Sequence, residues 1–203
     1  MNFRQLFFAF LMVLVLSSTA MAQRKFIHPG ISHTQADFDR MRAMISAKEE
    51  PFYSAYQTFK TNAYSKSTYV QTCAYANTTQ IPQDKMDIED FRAAYNIALM
   101  WKLTDDDAYA RKAVAIINSF NKLTSVSSGG TGPLNASKVH LLIEAAELMR
   151  DYSGWNESDK QAFRDMLVHP GYSSKVNMFV TNYDYYDLSK NNVTWYWNAY
   201  TFD

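Results

Sequence analysis

Asn191-Asn192 run directly into Val193-Thr194-Trp195-Tyr196-Trp197, the stretch of the chain richest in groups that could do chemistry. An amide both donates and accepts hydrogen bonds, and it sits beside a carboxylate with no proton balance to settle. Aromatic faces stack on the apolar faces of sugar rings, and a phenol exchanges protons in acid/base steps. Asn191, Asn192 and Tyr196 are therefore candidate catalytic residues for a site that grips an acidic sugar, with Trp195 and Trp197 lining it. Tyr185 and Tyr186, beside Asn182 and Tyr183, read equally as an aromatic subsite wall or as a packed irregular loop. The Asn-aromatic run itself also fits a helix start buried in a core. His140 joins the substrate-binding candidates if its helix lines a cavity; a packed helix histidine is the other reading.

Elsewhere the chemistry thins out. His28, His33, His140 and His169 are scattered without metal-ligand spacing. Asp105-Asp106-Asp107 reads as a helix cap, because no further calcium ligands follow at loop spacing. Gly129-Gly130-Thr131-Gly132 lacks the Lys-Ser or Lys-Thr of a phosphate loop. No metal and no cofactor is expected. A single cysteine, Cys73, rules out an internal disulfide framework and reads as a buried small hydrophobe.

The elements that must position the site are helical. Thr34 caps a helix to Ala47, with Phe38, Met41, Met44 and Ile45 at core spacing. Pro51 opens a second, through Tyr64, with Phe52, Tyr56 and Phe59 on one face. Ser65 to Lys85 is a long irregular stretch. Asp87 caps a helix to Leu103, Thr104 to Asp107 is a tight turn, and the next helix runs to Lys122. After a Gly/Ser loop from Ser125 to Pro133, Asn135 caps a helix to Tyr152, closed at Gly154. Ser158 starts a last helix to His169. The pattern predicts an all-α chain of three antiparallel pairs, near 34–64, 87–122 and 135–169. No fixed repeat period appears, which argues against a helical-repeat interaction module.

The N-terminus reads as an address. Leu6 to Leu16 is a short apolar run behind Arg4, and Ala20-Met21-Ala22 supplies small residues for cleavage before Gln23. Residues 1–22 are expected to be a signal peptide and 23–203 the mature chain, periplasmic or secreted, with no lipid-anchor cysteine and no membrane association after cleavage. Without Arg4, 19 of the 20 basic residues remain against 20 acidic ones, which excludes the basic excess of a nucleic-acid binder.

Three segments resemble the alginate lyase-like polysaccharide lyases. They are Phe26 to Thr34, the hairpin Ala93 to Ala110 with its AYxxALxWxLT pattern, and Ile143 to Tyr152. Heparinase-like lyases share similar helices. The resemblance implies an incomplete (α/α) toroid and β-elimination on an acidic, uronate-containing glycan such as alginate. It implies that Asn192 neutralises the uronate carboxylate, that a Tyr or His removes the adjacent proton, and that a Tyr protonates the departing oxygen. The family motif is Asn-Asn-His followed by aromatics; here Val193 stands in the histidine position and exchanges no proton. Family domains continue past this motif, so the chain is expected to be the N-terminal part of the toroid, inactive by itself. A non-catalytic glycan-binding relative is the alternative.

Overall fold

The computed structural model describes residues 27–82, 85, 88–127 and 138–168. Among them the chain is all-α apart from two three-residue strands. Helix α1, Gln35–Ser46, begins as its sequence requires. The Thr34 hydroxyl accepts from the Asp37 N–H at 3.3 Å, and the Asp37 carboxylate accepts from the Thr34 N–H at 2.9 Å. This capping box satisfies donors that the first turn leaves over. The Thr34 N–H, and then the Thr34 hydroxyl donating at 2.7 Å, hold the Asp37 carboxyl below the usual carboxylate range. Phe38 and Met44 are the residues α1 buries.

Helix α2, Phe52–Thr61, departs from expectation in two ways. Pro51 stands at the cap rather than inside the first turn. The helix stops short of Tyr64, which lies instead in a 3-10 turn, Ala63–Ser65, where the Asn62 side chain accepts from the Tyr64 N–H at 2.9 Å. Its apolar face, Phe52, Tyr56 and Phe59, is not buried: among the described residues α2 packs on α1 with no second helix layered over it.

Helix α3, Glu89–Thr104, is the centre of the fold and packs on α1, α4, Asp107–Asn118, and α5, Val139–Met149. Ala93, Ala94 and Ala98 of α3 and Ala110 and Ala113 of α4 are fully buried, so small side chains let these helices approach closely. Ile88, not Asp87, occupies the α3 cap and offers it no side-chain bond; Asp87 itself lies outside the described residues. The turn into α4 is as expected, with Asp105 left-handed (φ 58°) and the Asp106 carboxylate accepting from the Ala108 N–H at 2.9 Å. Helix α4 ends at Asn118 rather than Lys122, and the chain turns so that Phe120 still reaches the core, edge-on to Phe91 at 4.9 Å.

Helix α5 ends at Met149, before Tyr152, and the Asn135 proposed as its cap lies outside the described residues. Helix α6, Glu157–Val168, is capped by Asn156 and not by Ser158. The Asn156 amide oxygen accepts from the Asp159 N–H at 2.8 Å. The third expected pair is corrected: α6 makes its main contacts with α4 rather than folding back on α5. The Asn118 amide donates to Asp159 at 2.7 Å, and Trp155 donates to Asn118 at 2.9 Å. These polar bonds and the Trp155–Phe163 contact hold α6 to α4. The His169 proposed as its end lies outside the described residues.

Two stretches read as loops each contain a short strand. Gln80–Pro82 (β1) pairs in parallel with Ser125–Ser127 (β2), Ile81 opposite Val126. Just before each strand, the Thr124 N–H donates to the Thr79 carbonyl at 2.9 Å. Three-residue strands are too short to show an alternating pattern, and a parallel partner always lies far away in sequence.

Candidate functional site

Titratable side chains converge where the extended arm 27–33 crosses α3 and α5. His28 Nδ1 meets Glu147 Oε1 at 2.6 Å, and the Gly30 N–H donates to the same oxygen at 3.2 Å. One turn earlier on α5, Glu144 accepts from the Ser32 hydroxyl at 2.6 Å. His33 Nε2 lies 3.0 Å from the Tyr95 hydroxyl on α3. Arg150 closes the far end, 3.6 Å from Glu147. The two glutamates stand three residues apart on one face of α5. The arm's bend at Gly30 is equally local: a Cβ there would fall 2.7 Å from the Ile27 carbonyl oxygen.

Glu144 is only 6% exposed, so its charge acts through a poorly screened medium. Burial, and then the Glu144 carboxylate, push the Tyr95 hydroxyl up to about 12. Tyr95 therefore stays a phenol at neutral pH, and its hydroxyl shares a hydrogen bond with His33 Nε2. Beside this junction Lys102 is buried with its ammonium 4.6 Å from the centre of the Trp101 ring. Burial lowers its pKa, and Asp151 opposes that shift. Both junction glutamates already accept hydrogen bonds from the arm. As it stands, the cluster fastens the arm and holds a His33–Tyr95 pair at its edge.

His33 also borders a groove of about 260 Å³ between α1, α2 and α3. Met41, Met44, Phe52, Phe59, Leu99 and others line it with almost wholly apolar surface. A polyanionic sugar chain would lose its hydration there without gaining polar partners. The groove does not suit the substrate class that the sequence suggests.

Asn191, Asn192, Tyr196, Trp195, Trp197, Tyr185 and Tyr186 all lie outside the described residues. His140 is described. It is partly buried on α5, one turn before Glu144 and so on the face that meets the arm. The junction residues His28, His33, Tyr95, Glu144 and Glu147 were not singled out from their chemistry. Their signal was indirect, since all five fall inside the three segments that carry the family resemblance. Those segments, far apart in sequence, meet at this junction.

Among the described residues no group of three or more His, Cys, Asp or Glu is placed to hold a metal ion. No described helix is long and apolar enough to cross a membrane. No family model, curated protein or solved structure matches the chain.

Proposed function

We propose that this chain contributes to a polysaccharide lyase that cleaves an acidic, uronate-containing glycan such as alginate by β-elimination, on an incomplete (α/α) toroid. The observation that carries the reading is the junction. The three segments that resemble the family pack together through His28–Glu147, Ser32–Glu144 and His33–Tyr95, as parts of one scaffold should. The all-α architecture and the α3–α4 hairpin support it.

In this reading Asn192 hydrogen-bonds the uronate carboxylate, with Asn191 beside it, and makes the neighbouring carbon acid. A base takes the proton from that carbon, the electron pair forms a carbon–carbon double bond, and the glycosidic oxygen departs from the next carbon. Tyr196 protonates that oxygen. Trp195, Trp197, Tyr185 and Tyr186 line the sugar subsites, and His140 contributes from α5. Val193 cannot serve as the base. That substitution also favours a second reading, a glycan-binding relative without chemistry.

The test is the ultraviolet absorbance of unsaturated product from alginate and other polyuronates, with the protein as its gene encodes it, including any residues after Asp203. Asn192→Ala is expected to lower turnover roughly a hundred- to a thousandfold, the cost of losing one donor to a developing negative charge. Val193→His is expected to raise it. Full turnover by the Asn192→Ala variant would remove Asn192 from the site. Tight glycan binding without product would select the second reading.

A further inference from the structure

A second cluster lies outside the junction, around the 3-10 turn and the start of α3. Tyr64 and Tyr69 stand ring against ring, 5.8 Å between centroids and inclined at 49°. The Arg92 guanidinium sits 5.5 Å from the centre of the Tyr64 ring. The Tyr69 ring and the Tyr64 backbone are held in advance. Tyr69 donates its hydroxyl to the buried Asp90 carboxylate at 2.7 Å, and Asn62 accepts from the Tyr64 N–H at 2.9 Å. An aromatic platform that needs no ordering loses little entropy when a ligand settles on it.

The charges around the platform favour an anion. Arg92 is 44% exposed on its side chain, so guanidinium donors face water. Its carboxylate neighbour, Glu89, lies 3.4 Å away and is shared with Lys138 at 2.6 Å. Lys66 donates its ammonium to the neutral Lys60 carbonyl at 2.7 Å, so that bond leaves its charge uncompensated. Asp90, the carboxylate next to Glu89 on α3, is buried beneath the donors of Tyr69, Thr72 and Cys73. Among the described residues, positive groups therefore exceed negative ones at the exposed rim.

We infer that Tyr64, Tyr69 and Arg92 form a binding subsite for an anionic sugar residue of an acidic glycan. The apolar face of the sugar lies along the phenol rings, and its carboxylate pairs with the planar guanidinium fork. The inference rests on the glycan reading of function and adds a subsite to it, formed by the segment between α2 and α3.

The test is binding of a polyuronate and of a neutral polysaccharide to the whole protein, by calorimetry, with far-ultraviolet circular dichroism as a check on folding. Arg92→Ala is expected to weaken polyuronate binding about tenfold, the loss of one charge-assisted hydrogen bond, with the difference shrinking in high salt. Arg92→Gln, which keeps much of the stem over Tyr64, is expected to lose nearly as much. Arg92→Lys is expected to lose less. Neutral polysaccharide binding should not respond to any of them. If the native protein binds polyuronate and both Arg92→Ala and Arg92→Gln bind it equally well, the subsite is overturned and the broader reading stands. If the native protein binds no polyuronate, the glycan reading falls and this inference with it.

Discussion

Asp90 is 0% exposed, and a carboxylate in that position is stable only when its oxygens are occupied. It accepts from the Tyr69 hydroxyl at 2.7 Å, the Thr72 N–H at 3.0 Å and the Cys73 N–H at 3.0 Å. Asp90 lies in the first turn of α3, where an acid suits the helix start. Its larger role, fixing the stretch after the 3-10 turn, was not legible: its partners lie about twenty residues upstream in a segment without periodicity. The Thr34–Asp37 box, by contrast, was half visible at Thr34, since all of its bonds fall within four residues. The same contact shapes a pH response. Burial first, then the hydrogen bond to Asp90, raises Tyr69 from 10.0 to about 12, and Tyr95 is raised to a similar value by burial and Glu144. Between these limits the unfolded chain has released these phenol protons while the folded chain still holds them. The contribution of these two phenols to stability should therefore be level up to about pH 10 and decline as pH rises towards 12. Urea unfolding across that window measures it. The Tyr69→Phe, Tyr95→Phe double variant should show a shallower decline, and an equal slope in both proteins would refute the assignment.

At the scale of elements, helix identity followed from caps and apolar spacing, while helix layering did not. The Phe52–Tyr56–Phe59 face and the Phe38–Met44 face look alike in sequence, yet α1 is covered and α2 is open. Periodicity shows which side of a helix is apolar; what lies against that side depends on distant chain. The difference is measurable. Phe38 is 0% exposed, and Phe38→Ala should cost about 3–5 kcal/mol in unfolding free energy. Phe52 is 43% exposed, and Phe52→Ala should cost less than about 1 kcal/mol. Comparable losses from the two changes would mean that the α2 face is covered in solution. Helix α6 makes the same point in another way. Its apolar residues suggested a hairpin with α5, but the Asn118–Asp159 and Trp155–Asn118 bonds attach it to α4. An asparagine at the end of one helix gives no sequence cue that it will bind a residue some forty positions later.

The described part of the molecule is tied together by contacts between segments far apart in sequence. The arm at 28–33 reaches α5 at Glu144 and Glu147, more than a hundred residues away. The sequence flagged both segments through the family resemblance but gave no sign that they touch. The Asn191–Trp197 candidates remain legible in the sequence alone. Because one arm makes both carboxylate contacts, losing either should loosen the other. Glu147→Gln keeps the side-chain volume and still accepts from Gly30, but it removes the charge opposite His28 and Arg150. Glu144→Gln weakens the Ser32 contact and removes the charge beside Tyr95. Residues that share one element couple by about 0.5–3 kcal/mol in a double-mutant cycle, whereas independent surface sites add within about 0.5 kcal/mol. The double variant is expected to lose clearly less stability than the two single losses combined, since the first change already frees much of the arm. Amide hydrogen exchange should show the Gly30 N–H losing protection in each single variant, including Glu144→Gln, which does not touch it. Strict additivity, with Gly30 still protected in Glu144→Gln, would mean that the two contacts act separately and that the arm is not a single fastening across the molecule.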